Sequence, residues 1–447
     1  MTAYVLERAW VDGAVHDEVY VEIEAGRFTS VTLPGQSSHF QGDISAEKQG
    51  DPRLTGDRTR LAGLTIPGLA NCHSHAFHRA LRGRTQRERG TFWTWRERMY
   101  SVAGRLDPDS YLALARATYR EMVASGITSV GEFHYLHHQP DGTPYDDPNA
   151  MGRALVQAAQ DAGLRVRLLD TAYLSSGFGE QPEGVQRRFS DGTADAWVER
   201  VQDLADAGAA IHSVRAVPDD QLRTIVEASN AKPLHVHLSE QTAENDACVA
   251  AYGATPTQLL ADHGVLGPLT SAVHATHLTA DDIAHLGSTR TSACFCPTTE
   301  RDLGDGIGPS RALHDAGSPL TLGSDSHAVI DLFEEMRAVE LDERLATRER
   351  GHWSAAELLR AATSDGQASL GYDDAGRIEV GGRADLVTLD TATPRTAGTG
   401  RDEHTAVFAA SSADVVQVIA DGKVVFTRGD EGEIGRELDD AIGRLWS

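Results

Sequence analysis

The sequence predicts an α/β fold: a (β/α)8 barrel of the TIM type, with a small β-sandwich assembled from both chain ends. Three observations predict it. Short β-rich segments alternate with helical ones from about residue 66 to 326, the rhythm of βα units feeding a parallel sheet. Eight such strand-like segments lie in that stretch, the number that closes a barrel. The two flanks instead alternate apolar and polar residues, and neither can bury a core alone.

Residues 1–63 contain the alternating run Glu18-Val19-Tyr20-Val21-Glu22-Ile23 and then a polar, Gly- and Arg-rich stretch over about 36–60. Barrel strands are expected at 64–71, 127–133, 164–171, 210–217, 233–238, 271–277, 291–296 and 319–324. Amphipathic stretches at 111–125, 151–162, 194–207 and 219–229 read as helices, each ending near Gly, Asn or Pro. Residues 377–447 return to strand character in Asp385-Leu386-Val387-Thr388-Leu389 and Val415-Val416-Gln417-Val418-Ile419, before a turn at Asp421-Gly422. The expected division is a barrel over 64–376 inserted between the sandwich halves 1–63 and 377–447.

The chain of 447 residues carries a net charge of −25 at pH 7, which argues against a nucleic-acid or anionic-membrane partner. Its 40% hydrophobic and 24% charged content does not fit a disordered chain. Among 41 basic residues only Lys48, Lys232 and Lys423 are lysines; the rest are arginines. No basic leader precedes an apolar run, and no apolar stretch approaches the roughly 20 residues of a spanning helix, so a cytoplasmic location is expected. Cys294 and Cys296 alternate on one strand face. Without a second pair at zinc-site spacing, they read as small buried hydrophobes rather than a metal or redox pair.

The chemistry gathers at the strand ends. His73-Ser74-His75 follows the first strand, and residues two apart on an extended backbone point the same way, so both imidazoles can reach one ion. His235-Val236-His237 ends the fifth strand, His274 and His277 lie on the sixth, and Asp325 closes the eighth. Each pair alone is weak. Their joint placement at the C-terminal ends of strands one, five, six and eight is the pattern of a barrel active site.

These residues resemble the amidohydrolase superfamily over essentially the whole chain. The resemblance implies a metal-dependent hydrolase barrel with His73, His75, His237 and Asp325 as metal ligands. Two-metal members use a carboxylated lysine after strand four. Here that strand ends in His212-Ser213-Val214-Arg215 with no lysine near, so one divalent ion is expected: zinc first, with iron or manganese as alternatives. The stretch His237-Leu238-Ser239-Glu240 matches the His-x-x-Glu of the mononuclear deaminases, and His274 matches their strand-six histidine. A divalent ion lowers the pKa of its water to about 7. Glu240 would carry the water proton to the departing nitrogen, His274 would orient or stabilise the water, and Asp325 would bind metal and accept a proton. His277 is expected to be a packed or hydrogen-bonded residue.

Further stretches are similar to the formimidoylglutamate deiminase branch: Pro67 to Phe77, Phe92-Trp93-Thr94-Trp95-Arg96-Glu97, Glu132-Phe133-His134-Tyr135, Cys296-Pro297-Thr298-Thr299-Glu300 and Leu303-Gly304-Asp305-Gly306. That resemblance implies substrate contacts from Arg96, Tyr135, His212 and Arg215, and a small dicarboxylate amidine as substrate, N-formimino-L-glutamate of histidine degradation. Guanidinium forks suit its two carboxylates. Trp93 and Trp95 read as packing residues. His78 stands where the branch has glutamine; it is expected to bind substrate as a hydrogen-bonding group, an added metal contact being the other reading. A homodimer is the expected assembly. The alternatives are a related deaminase or chlorohydrolase acting on a nucleobase-like or guanidino substrate, and a catalytically silent binding barrel.

Overall fold

The computed structural model describes residues 1–34, 58–86, 92–204, 206–229 and 231–446; most of the polar stretch at 36–60 and the side chain of Trp93 lie outside what it describes. The chain opens with β1 (Thr2–Val11), β2 (Ala14–Glu24), β3 (Arg27–Thr32) and β4 (Thr59–Pro67). In β2 the alternate residues Val19, Val21 and Ile23 are buried, as a sheet with one wet face requires. β4 passes into β5 (Leu69–Ser74) across a single residue, Gly68. A Cβ there would stand 2.2 Å from Thr128 Oγ1 and 2.8 Å from Asp385 Cβ, so only glycine fits the crossing. The apolar run at 64–71, expected as one strand, is therefore two, one in each sheet.

The barrel continues with β6 (Ile127–His134), β7 (Arg165–Ala172), β8 (Gly208–Ile211), β9 (Leu234–Leu238), β10 (Thr270–His274), β11 (Ser292–Phe295) and β12 (Leu320–Leu322). All eight strands, β5 to β12, pair in sequence order and in parallel. Every residue of β5 and β6 is buried, as in a parallel sheet covered on both faces. The circle closes just past β12. There Asp325 pairs with Ser74, its N–H donating to His73 O at 3.0 Å while His75 N–H donates to Asp325 O at 3.3 Å.

Two strands stop earlier than the apolar pattern suggests. After β8, Ala216 and Val217 both donate to Ser213 O, so residues expected as strand form a turn instead. After β10, left-handed backbone at His274 and Ala275 (φ 69° and 48°) ends the ladder.

β13 (Leu386–Leu389), β14 (Val415–Ala420) and β15 (Lys423–Thr427) return to β4, giving a second sheet of order β15-β14-β13-β4-β1-β2-β3 from both chain ends. Arg165 on β7 bolts it to the barrel, lying 3.0 Å from Asp385 and 2.9 Å from Asp421. The 377–447 segment also holds a helix, Glu431–Trp446, absent from the strand-like reading. It buries Ile434, Leu438 and Leu445 and sends Trp446 Nε1–H to Ala80 O at 3.0 Å. Among the described residues no helix is long and apolar enough to cross a membrane.

Candidate active site

His73 ends β5 together with Ser74, His75 follows at once, His237 sits on β9, and Asp325 follows β12. Their ligating atoms converge. Asp325 Oδ1 is 3.3 Å from both His73 Nε2 and His75 Nε2, and His237 Nε2 is 3.1 Å from His73 Nε2. On the far side of two rings a carbonyl fixes the tautomer: His75 Nδ1–H donates to Phe133 O at 2.9 Å and His237 Nδ1–H to His212 O at 2.8 Å. Both Nε2 atoms are thereby left as lone pairs facing inward. Burial holds the imidazoles neutral, pushing His73 down and His75 and His237 well down. Burial opposes the charge on Asp325, yet the hydrogen bond from His73 and the nearby His73, His274 and His75 overrule it and hold the carboxyl low. Three inward imidazole Nε2 atoms, two of them fixed as lone pairs, and a carboxylate oxygen are the donor set of a tetrahedral divalent-ion site, so the residues present fit the metal.

Beside these donors stand the expected proton carriers. Glu240 Oε1 lies 3.8 Å from His274 Nε2, which is 3.9 Å from Asp325 Oδ2. Burial pushes Glu240 up to about 7. His274 moves the other way: burial lowers it, but Glu240, Glu300 and Asp325 around it outweigh that and hold it well above its usual value. Left-handed backbone recurs at this mouth, at Ser239 (φ 52°), His274, Asp325 (φ 39°) and His327 (φ 57°). Strain at three of the four chemistry-bearing strand ends is what a functional site tolerates. His277 is half-buried and lies outside the pocket.

The substrate-side residues enter the same pocket. Arg96 and Trp95 come from the helix Phe92–Ala103, Tyr135 from the end of β6, and His212 and Arg215 from the turn after β8; all line one cleft with His75, His237, Glu240, His274 and Asp325. His78, in the short turn Ala76–Leu81, lines it too, with Nε2 3.0 Å from the Tyr135 hydroxyl. His78 thus spends one nitrogen on Tyr135, although it also lies within reach of His75 and Asp325. Trp95 packs its edge against the His78 ring at 5.1 Å. Arg96 lies over the Tyr100 ring at 5.4 Å. Arg215 donates through Nε to Glu244 Oε2 at 3.3 Å and through Nη1 to Ser176 O at 3.4 Å.

Several residues of the cleft carry no motif that would single them out. Glu244 lies in the first turn of the helix Thr242–Tyr252, where a charge reads as solvated surface; in fact it is Arg215's partner. Tyr100 and Tyr173 line the wall without any local signature. Glu132 opens the Glu-Phe-His-Tyr stretch, yet nothing in its neighbours along the chain marks it for a task. Its carboxyl accepts from Ser74 Oγ at 2.6 Å and Ala76 N at 2.7 Å, bracing the turn between His73 and His75, and burial pushes it up to about 8.

Two other clusters are structural. His134, His137 and Asp170 approach one another closely, but Arg200 already supplies the cation there, at 2.7 and 3.0 Å from the two Asp170 oxygens. All four cysteines are buried free thiols; Cys72, Cys294 and Cys296 pack with Ala70 and Val273.

The chain matches the amidohydrolase family over residues 64–425. It is 36% identical over 428 residues to formimidoylglutamate deiminase of Pseudomonas aeruginosa, covering 90% of this chain and 94% of that one. It is 28% identical to a 5-methylthioadenosine/S-adenosylhomocysteine deaminase of Pelotomaculum thermopropionicum over 82% of this chain and 81% of that one. An amidohydrolase structure from Brucella melitensis superposes with a TM-score of 0.86 at 29% identity, covering both chains completely. A zinc-bound adenosine deaminase structure from Xanthomonas campestris, at 22% identity and a TM-score of 0.81, covers 100% of this chain and 98% of that one and shares the fold. The chain belongs to the amidohydrolase family and is a metal-dependent hydrolase acting on carbon–nitrogen bonds.

Proposed function

We propose that the protein hydrolyses N-formimino-L-glutamate to N-formyl-L-glutamate and ammonia. One observation carries the reading: two guanidinium groups, Arg96 and Arg215, line the cleft whose floor is the metal donor set. A dicarboxylate amidine can place its carboxylates on those forks and its formimino carbon over the floor. The similarity to a formimidoylglutamate deiminase at 36% identity supports the same substrate. A divalent ion held by His73, His75, His237 and Asp325, zinc first by donor type, would lower the pKa of a water there to about 7.

The protein's own groups do the rest. Glu240, with its pKa near 7, takes a proton from the attacking water and returns it to the leaving nitrogen, so that the C–N bond breaks to ammonia rather than to an amide anion. His274 faces the same point through Nε2 and orients the water or steadies the charge that develops on its oxygen. Asp325 would hold the metal through one oxygen and accept a proton through the other. Tyr135 and His78, already hydrogen-bonded, offer a hydroxyl and an imidazole to the substrate.

The test is ammonia release by metal-replete protein from formimino-glutamate, formimino-aspartate, guanidino-glutamate and a panel of nucleobases and nucleosides. Turnover of formimino-glutamate at least tenfold above every other substrate supports the reading. Preference for a neutral heterocycle overturns it, because such a ligand brings no carboxylate to the two guanidinium groups that line the cleft.

A further inference from the structure

We infer that Glu300 is a positioning residue that fixes which edge of His274 meets the reacting atoms. The inference depends on His274 acting at the water, as proposed for the hydrolysis. His274 Nδ1 lies 3.4 Å from Glu300 Oε1, and its opposite nitrogen, Nε2, faces Glu240 at 3.8 Å and Asp325 at 3.9 Å. The ring also lies beside the imidazoles of His73 and His237, the latter stacked on it at 5.6 Å, and within electrostatic reach of Glu244 and Asp305. A carboxylate only accepts, so Nδ1 carries a proton. Nε2 is then the one atom free to exchange a proton or a hydrogen bond with water above the metal donors.

The ring needs such a partner. His274 is the last residue of β10, paired with Leu238, and both it and Ala275 hold left-handed backbone, so the ladder ends at the ring and pins its backbone but not its edge. Without Glu300 nothing holds the Nδ1 edge, and an imidazole that turns presents Nε2 to the water only part of the time.

Glu300 also caps a helix. It is the fourth residue of the helix Pro297–Leu303, and its Oε1 accepts from the N–H of the capping residue Cys296 at 2.9 Å. A cap alone has no need of burial, since capping glutamates work at the surface. This one is 5% exposed, and burial raises its pKa against the pull of His274. The oxygen that caps the helix is also the oxygen that meets the imidazole. The helix start therefore serves as the mount that aims Glu300 at His274.

The experiment compares Glu300→Gln, which keeps an oxygen for Cys296 N–H, with Glu300→Ala, in wild-type and His274→Asn backgrounds of the metal-replete chain. Glu300→Gln is expected to lower kcat about 10-fold and Glu300→Ala about 100-fold, with KM and metal content unchanged. In the His274→Asn background neither is expected to cost anything further. Equal losses in both backgrounds, or full kcat in Glu300→Ala, would overturn the inference; if the alanine variant does not fold, the glutamine variant decides it. A readout free of turnover is the nitrogen NMR signature of His274. Protonated Nδ1 in the wild type and its loss in the alanine variant support the pairing, even if formimino-glutamate proves not to be the substrate. An unprotonated Nδ1 in the wild type would overturn it.

Discussion

Glu240 is where the site's protonation matters most. Its carboxyl is half-buried beside His274 and Asp325 and is pushed up to about 7, so it can accept a proton and give it back within one turnover. Replacing it with glutamine keeps shape and removes that capacity. Glu240→Gln should retain metal and lose ammonia release by about 10²- to 10⁴-fold; near-normal turnover would refute the assignment. His78 is the opposite case. Its Nε2 is committed to Tyr135, and an amide can make the same hydrogen bond. His78→Gln should therefore keep metal content and hold turnover within about tenfold. Loss of both would show that His78 is a ligand.

At the scale of elements, strand ends carry the function and glycines let them approach. Gly323 lies between β12 and Asp325, and a Cβ there would stand 2.7 Å from His73 Cβ and 2.9 Å from His73 N. Gly323→Ala should push β12 off β5, costing about 1–3 kcal/mol of stability. Metal affinity should drop about tenfold or more in the same variant, measured by competition with a chelator. A second element-scale joint is Arg200 on the helix Ala194–Val201, which grips Asp170 on β7 and Asp191 together. Burial opposes charge on both carboxyls, but Arg200, with His137 and His138 beside them, outweighs it and depresses both pKa values. Depressed carboxyls stabilise the fold above their unfolded value of about 3.9, and that contribution fades as pH falls further. Arg200→Met should cost about 3–5 kcal/mol at pH 7 by stranding two buried carboxylates. The gap from wild type in denaturant titrations should begin to narrow already above about pH 4 and go on narrowing as pH falls, because the stranded carboxyls, raised by burial, take up protons before the unfolded chain does.

Elements also show what could be read in advance. His73, His75, His237, His274 and Asp325 were legible because histidines and an aspartate placed at the ends of successive apolar runs rarely serve packing alone. The break at Gly68 was not, because an apolar run looks the same whether it serves one sheet or two. The helix Glu431–Trp446 was hidden by Gly432, Gly435 and Gly443, which dilute its helical pattern. Glu244 and Glu300 were hidden for a different reason. A carboxylate on a helix reads as solvated until a third dimension brings an arginine or a histidine against it.

For the whole molecule, the net charge of −25 and the proposed dianionic substrate are compatible because they act over different distances. Surface acids are screened within about 8–10 Å in physiological salt, whereas Arg96 and Arg215, which line the cleft, would act on it at contact. The barrel's closure sets the remaining whole-molecule property. The ring of strands is sealed where the backbone of Asp325 bonds to that of His73 and His75, and the side chains of those same three residues converge as donors. Metal binding is therefore expected to couple to closure of the seam, and a free ion at a thousand times its Kd would favour the closed form by about 4 kcal/mol where the open form does not bind it. Removing metal should act like undoing a zipper at its last tooth. Amide hydrogen exchange at His75 and Asp325 should accelerate on chelation while the β1–β2 hairpin keeps its protection; uniform acceleration throughout the chain would show that seam and metal are independent.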